Sequence, residues 1–172
     1  MKTWLSLCAA WPVRYQEIIK NERTNSQVYH FSAHARDDGR SLRDESMATI
    51  LIVEDEQQIR ELLVVLLTPE HQVLQAVDTA QAIELARRLR PDLVLLDLNL
   101  QGHQDGLEVC QTLRSESDPI LAQVPIVMLT GQTTQADIKA ALKAGANSYM
   151  GKPYNPKSLL AVVGALLTRR DV

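Results

Sequence analysis

Four short stretches of this chain end an apolar run on residues able to do polar chemistry. Ile50-Leu51-Ile52-Val53 runs into Glu54-Asp55, and Leu93-Val94-Leu95-Leu96 into Asp97. Ile126-Val127-Met128-Leu129 leads to Thr130-Gly131, and Asn147 to Met150 leads through Gly151 to Lys152-Pro153. Taken singly, each has an ordinary explanation as a helix cap, a turn former or a solvated lysine. Taken together they offer three carboxylates, a hydroxyl and an ammonium. Two unit charges about 4 Å apart interact by roughly 4 kcal/mol at an effective dielectric of 20, so clustered carboxylates either hold protons or bind a cation. An all-oxygen set without His or Cys suits Mg²⁺ or Mn²⁺. Carboxylate, hard dication, ammonium and hydroxyl are the parts needed to accept a phosphoryl group.

That chemistry requires the four stretches to meet, and the pattern between them says how. From Met47 onward, strand-like and helix-like segments alternate. Ile50-Leu51-Ile52-Val53 is a short continuous apolar run rich in β-branched residues, as in a strand covered on both faces, and Asn147 to Met150 is a short fifth strand. Gln72 to Val77 is a weaker strand. Ile59, Leu62, Leu63 and Leu66 recur at helical spacing before Pro69. Asp78 or Thr79 can cap a second helix with Ala82, Ile83, Ala86 and Leu89 inward, stopped at Pro91. A third helix runs through Leu107, Cys110, Gln111 and Leu113. A fourth carries Ile138, Ala141 and Leu142, with Gly145 as its stop, and a fifth runs from Leu159 to Leu167. Five β-α pairs in a row imply a parallel sheet between helices, with functional groups at the carboxyl ends of the strands.

Composition bounds the alternatives. The 172 residues are 45% hydrophobic and 23% charged, the balance of a globular protein with room for one ordinary domain. A net charge of −3 gives no footprint for nucleic acid or a membrane surface. Cys8 and Cys110 match no metal-ligand spacing, and such sparse cysteine use fits a reducing, cytoplasmic setting. No run of about 18 apolar residues suggests a membrane span. The N-terminal Met1-Lys2-Thr3-Trp4-Leu5-Ser6-Leu7-Cys8-Ala9-Ala10-Trp11-Pro12 has a weak signal-peptide flavour that Pro12 cuts short. Residues 1–46 mix charges and turn formers with no sustained period, and read as a disordered extension ahead of a domain at 47–172. Met47-Ala48-Thr49-Ile50 reads like a natural start; an intact mass from the native cell that includes residues 1–46 would refute that.

The strings Ile50 to Glu56, Pro91 to Leu100, Pro125 to Gly131 and Tyr149 to Tyr154 together resemble the receiver domains of two-component response regulators, in one unbroken register from 47 to about 168. The resemblance implies a flavodoxin-like, doubly wound five-stranded parallel sheet of order 2-1-3-4-5. It implies Asp97 as phosphoacceptor, Asp55 as a direct Mg²⁺ ligand, Glu54 as the second acidic residue and Asn99 as donor of a backbone carbonyl. Thr130 and Lys152 match the pair that holds phosphoryl oxygens, with Gly131 leaving room beside it. Tyr149 occupies the aromatic switch position, and Lys152-Pro153 the usual cis-peptide site. The loop Gln101 to Gly106 lacks the family's Pro and is one residue longer than usual; its His103 reads as solvated rather than as a ligand. Asn99 and Gln132 flank the acyl phosphate in the family pattern, which implies a phosphoryl group lasting minutes or less.

The resemblance further implies a sensor histidine kinase or histidine phosphotransfer protein as donor, and an unidentified protein downstream. With no effector pattern after the last helix, the expected output is protein contact or phosphorelay, without direct nucleic-acid or membrane binding. The implied role is a phosphoacceptor with self-dephosphorylation, not a turnover enzyme. A phosphorylation-independent binding module is the main alternative. A haloacid-dehalogenase-type phosphatase would want a second Asp where Asn99 stands, and a flavodoxin-like nucleotide binder would want a Gly-rich loop after strand one.

Overall fold

The structure, a computed structural model, describes residues 47–101, 105–131 and 134–168. The expectations for residues 1–46, His103 and Gln132 lie outside the described residues. Five strands, β1 (Thr49–Val53), β2 (Gln72–Ala76), β3 (Leu93–Asp97), β4 (Ile126–Thr130) and β5 (Ser148–Gly151), form one parallel sheet of order β2-β1-β3-β4-β5. The helices are α1 (Gln57–Leu67), α2 (Thr79–Leu89), α3 (Asp105–Arg114), the short α4 (Pro119–Ala122), α5 (Gln135–Ala144) and α6 (Pro156–Thr168). The fold class and strand order expected from the sequence are those observed.

Burial explains why the apolar runs differ. Every residue of β3 and β4 is buried, as is β1 after Thr49, because helices cover both faces of the central strands. The edge strands β2 and β5 are mostly half-exposed, which is why the β2 stretch carries two glutamines and reads weakly. Alternate strand residues Leu51, Val53, Val94, Leu96, Ile126 and Met128 share a core with α2, α3, α4 and α5. Ile50, Ile52, Leu93, Leu95, Val127 and Leu129 alternate with them, and α1 and α6 contribute buried Leu63, Leu66, Leu67, Leu159 and Val163.

Local signals set the helix ends. Asp78 caps α2 by accepting from the Gln81 N–H, and Thr134 caps α5 by accepting from that of Asp137. Gly145, at φ 101°, ends α5 in the left-handed region. Leu89, expected on an inner face, is exposed, and so is Leu142. Neighbouring positions on a helix point about 100° apart, so Ala141 facing inward turns Leu142 outward. Leu89 stands in the last turn, where the chain leaves through a left-handed Arg90. The short α4 was not expected; Asp118 caps it and Pro119 opens it.

Candidate functional site

The parallel register brings the strand ends level. Val53 lies beside Leu96, Asp97 beside Leu129, and Thr130 beside Gly151. The residues that follow therefore emerge on one edge of the sheet: Glu54 and Asp55 after β1, Asp97 and Thr130 as the last residues of β3 and β4, Lys152 after β5. Backbone bonds beyond the strands keep the ladder closed there, with Leu98 N–H donating to the Leu129 carbonyl at 2.8 Å and Lys152 N–H to that of Thr130 at 2.6 Å.

Three polar residues at this edge are almost wholly buried: Glu54 is 1% exposed, Asp97 4% and Thr130 2%. Lys152 Nζ donates to Glu54 Oε2 at 2.6 Å and to Asp97 Oδ2 at 2.8 Å, tying the ends of β1, β3 and β5 together. Burial opposes the lysine's charge, but the hydrogen bonds and negative charges of Asp97 and Glu54 outweigh it and push its pKa up. Burial moves Glu54 the other way for an anion: against the hydrogen bond from Lys152, and helped by the charge of Asp97, it raises the carboxyl to about 7.

Glu54, Asp55 and Asp97 each present a carboxylate oxygen, all within 4.8 Å of one another. Glu54 Oε1 is buried and has no hydrogen-bond partner among the described residues. A hard, all-oxygen donor set with one orphaned carboxylate oxygen and more negative charge than the single lysine offsets fits a small divalent cation such as Mg²⁺.

Residues the sequence reading passed over hold this set in place. Arg60 Nη1 donates to the carbonyls of Glu54 at 2.8 Å and Asp55 at 3.2 Å, pinning the backbone of the acidic pair from within α1. Gln101, itself at φ 51°, donates its backbone N–H to Asp55 Oδ2 at 3.0 Å. Asn99 N–H lies 3.3 Å from Asp97 Oδ1. At Gly106 an added Cβ would collide with the Asp97 carbonyl oxygen and lie 2.9 Å from Leu98 Cα, so only glycine lets α3 start against the end of β3. Its position in a loop was the only signal, and many loop glycines mean less. Gly131 is exposed, and a Cβ there would meet nothing within 4 Å. Tyr149 is 41% exposed, on the edge strand. The Lys152–Pro153 peptide bond is cis.

Comparison with known proteins gives this geometry a family. The model of the response regulator receiver domain matches residues 50–164. The chain belongs to the response-regulator receiver family. This receiver domain is 44% identical over 123 residues to the DNA-binding response regulator MtrA of Mycolicibacterium paratuberculosis, covering 71% of this chain and 52% of the relative. The chain thus spans about half the length of the curated relatives it matches. Among solved structures, the chemotaxis protein CheY4 of Vibrio cholerae superposes with a TM-score of 0.65 at 29% identity, covering 70% of this chain and 99% of that one. The receiver domain of the Pseudomonas aeruginosa sensor histidine kinase PA1611 does so at 0.65 and 28%, covering 72% and 99%; that protein carries a magnesium ion coordinated in its active-site cleft. Receiver domains are signalling switches rather than turnover enzymes. No helix among the described residues is long and apolar enough to cross a membrane.

Proposed function

We propose that Asp97 accepts a phosphoryl group from the phosphohistidine of a sensor kinase or phosphotransfer protein. The observation that carries this reading is the bridge from Lys152 Nζ to a buried Asp97, inside a cluster with Glu54 and Asp55. An Asp97 oxygen forms the new P–O bond as the donor's P–N bond breaks, the electron pair leaving with the imidazole. Transfer of this kind has a loose transition state, so catalysis lies mostly in alignment and charge neutralisation. Asp97 is held for attack by Lys152 and by the Asn99 N–H. Lys152 and Thr130 then hold the phosphoryl oxygens, and Gly131 leaves open space beside them. Glu54, Asp55, Asp97 and the Asn99 carbonyl would hold Mg²⁺, or Mn²⁺ in its place, which when bound neutralises the carboxylates against the incoming group.

The switch follows from the same side chains. Thr130 moves toward phospho-Asp97, and the exposed Tyr149 turns inward into the space it leaves, altering the surface of α5, β5 and α6. Moving such an equilibrium from 1:99 to 99:1 takes about 5.5 kcal/mol of differential stabilisation. Water attack on phosphorus releases inorganic phosphate and restores the carboxylate, and we expect this within minutes. Residues 1–46 are read as an extension that leaves this chemistry to 47–172, in the cytoplasm. The relatives' names include DNA binding; for the domain described here we assign signalling by protein contact or phosphorelay, since an acidic edge and a net charge of −3 oppose a phosphate backbone.

Intact mass after incubation with acetyl phosphate and Mg²⁺ tests the reading. A phosphoryl-sized gain that disappears in Asp97→Ala and without Mg²⁺ supports it. A folded wild type that gains nothing refutes it and favours a binding module that works without phosphorylation.

A further inference from the structure

Three successive carbonyls at the bend from β1 into α1 accept from one residue. Arg60 Nη1 donates to the carbonyls of Glu54 at 2.8 Å and Asp55 at 3.2 Å, and the Arg60 backbone N–H donates to that of Glu56 at 3.0 Å. Glu56 stands at the N-cap of α1 without a capping hydrogen bond from its side chain, so the bend relies on Arg60 for its closure. A peptide unit is planar, and fixing its carbonyl or its N–H therefore fixes the whole unit. The unit before Glu54 is set by the sheet, where Glu54 N–H donates to the Ala76 carbonyl at 3.1 Å. Arg60 sets the next two, which carry the Glu54 and Asp55 carbonyls. With the units on either side held, the directions in which both side chains leave the backbone are held as well. Every one of these contacts is to backbone. Among the described residues Arg60 forms no ion pair with a carboxylate, so it shapes the acidic pair without occupying a carboxylate oxygen.

We propose that Arg60 is a positioning residue for the carboxylates that hold the divalent cation: by gripping the Glu54 and Asp55 carbonyls it aims both side chains at one site, and cation affinity depends on that grip. The inference rests on the metal-holding role given to Glu54 and Asp55 above. Groups that orient metal ligands without touching the metal typically carry about ten- to a hundredfold in affinity. Arg60 also places a positive charge near the cluster, which by itself opposes a cation. Its two effects thus have opposite signs: loss of the charge tightens Mg²⁺ binding, whereas release of the bend weakens it. Salt screens the first and leaves the second.

The test titrates Mg²⁺ alone into the full-length wild type and Arg60→Met, whose apolar stem fills similar space without donors or charge. At about 0.5 M potassium chloride, where exposed charges are largely screened, Mg²⁺ should bind the variant about three- to tenfold more weakly. Arg60→Gln, uncharged and too short to reach both carbonyls, should shift affinity in the same direction and carries the test if Arg60→Met does not fold. Unchanged or tighter Mg²⁺ binding by the folded variant at that salt overturns the proposal. A lower melting temperature alongside unchanged affinity does so too, and would make Arg60 an anchor for the start of α1 alone. Mg²⁺ binding that depends on Arg60, in a protein that takes no phosphoryl group from acetyl phosphate, would refute phosphoacceptance and leave this inference standing; no Mg²⁺ binding by the wild type overturns both.

Discussion

At the amino ends of the strands, Asp92 Oδ2 accepts from the Thr49 N–H at 2.8 Å, and Asn147 Oδ1 accepts from the Ile126 N–H at 2.8 Å. Arg114 completes that end, donating to the Gly145 carbonyl, the Ala122 carbonyl and Asn147 Oδ1 at 2.9, 3.1 and 2.8 Å. At the carboxyl ends, Glu54 and Asp97 share one lysine with Asp55 clustered beside them, and an oxygen of Glu54 has no partner among the described residues. Both edges carry acidic and basic groups. One uses them to satisfy backbone donors that the parallel ladder leaves over, the other leaves charge in excess. Polar groups that close their hydrogen bonds hold a fold together; groups left under-satisfied in a protein are where a ligand can be repaid for binding.

Substitutions should separate the two edges, and the largest separation is expected at Asp97. Asp97→Asn should abolish phosphoryl uptake in the intact-mass assay while the metal-free domain melts no lower than the wild type, because one buried negative charge is removed. A lower melting point would mean that the site edge is also a stability element, and would blur the contrast. Gly106→Ala joins the two properties: its Cβ would drive α3 off the Asp97 carbonyl, so uptake and urea resistance should both fall, by about 2 kcal/mol or more in stability. Arg114→Ala should cost about 2–4 kcal/mol in urea unfolding by stripping three acceptors, with phosphoryl uptake unchanged once the protein is folded.

Glu54 sharpens the comparison through pH. Its folded pKa of about 7 stands above its ordinary value of 4.5, so between these pH values the native carboxyl keeps a proton that the unfolded chain has lost. Metal-free stability from this group is therefore complete below about 4.5 and is lost as pH rises through about 7. Glu54→Gln should flatten that slope in metal-free thermal melts, raise the melting temperature by several degrees above pH 7, and weaken Mg²⁺ binding. A slope unchanged in the variant would assign it to another group. The smallest effect belongs to His71, just before β2. Burial lowers its pKa, and its Nδ1 is buried without a partner among the described residues. Its contribution is present above the ordinary value of 6.5 and lost as pH falls through the folded value, so His71→Gln should make the acid-side fall in metal-free stability slightly shallower in thermal melts.

The contrast also marks how far the residues could be read in order. Asp97, Thr130 and Lys152 were legible because each ends or follows an apolar run, and a parallel sheet fixes which end of a strand faces a site. Arg60, Gln101, Gly106 and Arg114 were not. Their work is done on backbone carbonyls and N–H groups supplied by distant segments, and a single arginine on a helix gives no hint of which carbonyls it will meet. The exposure of Leu89 was missed for a related reason: helical spacing gives a stripe, but the end of the helix decides how far that stripe stays covered.

By itself the sequence determined the alternation of five strands with five main helices, the weak character of the second strand, and the set of polar residues at the strand ends. Period, capping residues and apolar runs are local properties, and right-handed crossovers leave few ways to assemble them. Only the tertiary structure decided that Lys152 reaches both Glu54 and Asp97, that one oxygen of Glu54 is left over, and that Gly106 must be a glycine. Those depend on distances between segments separated by up to 98 residues in the chain, and on the loss of water around them, which no local pattern encodes.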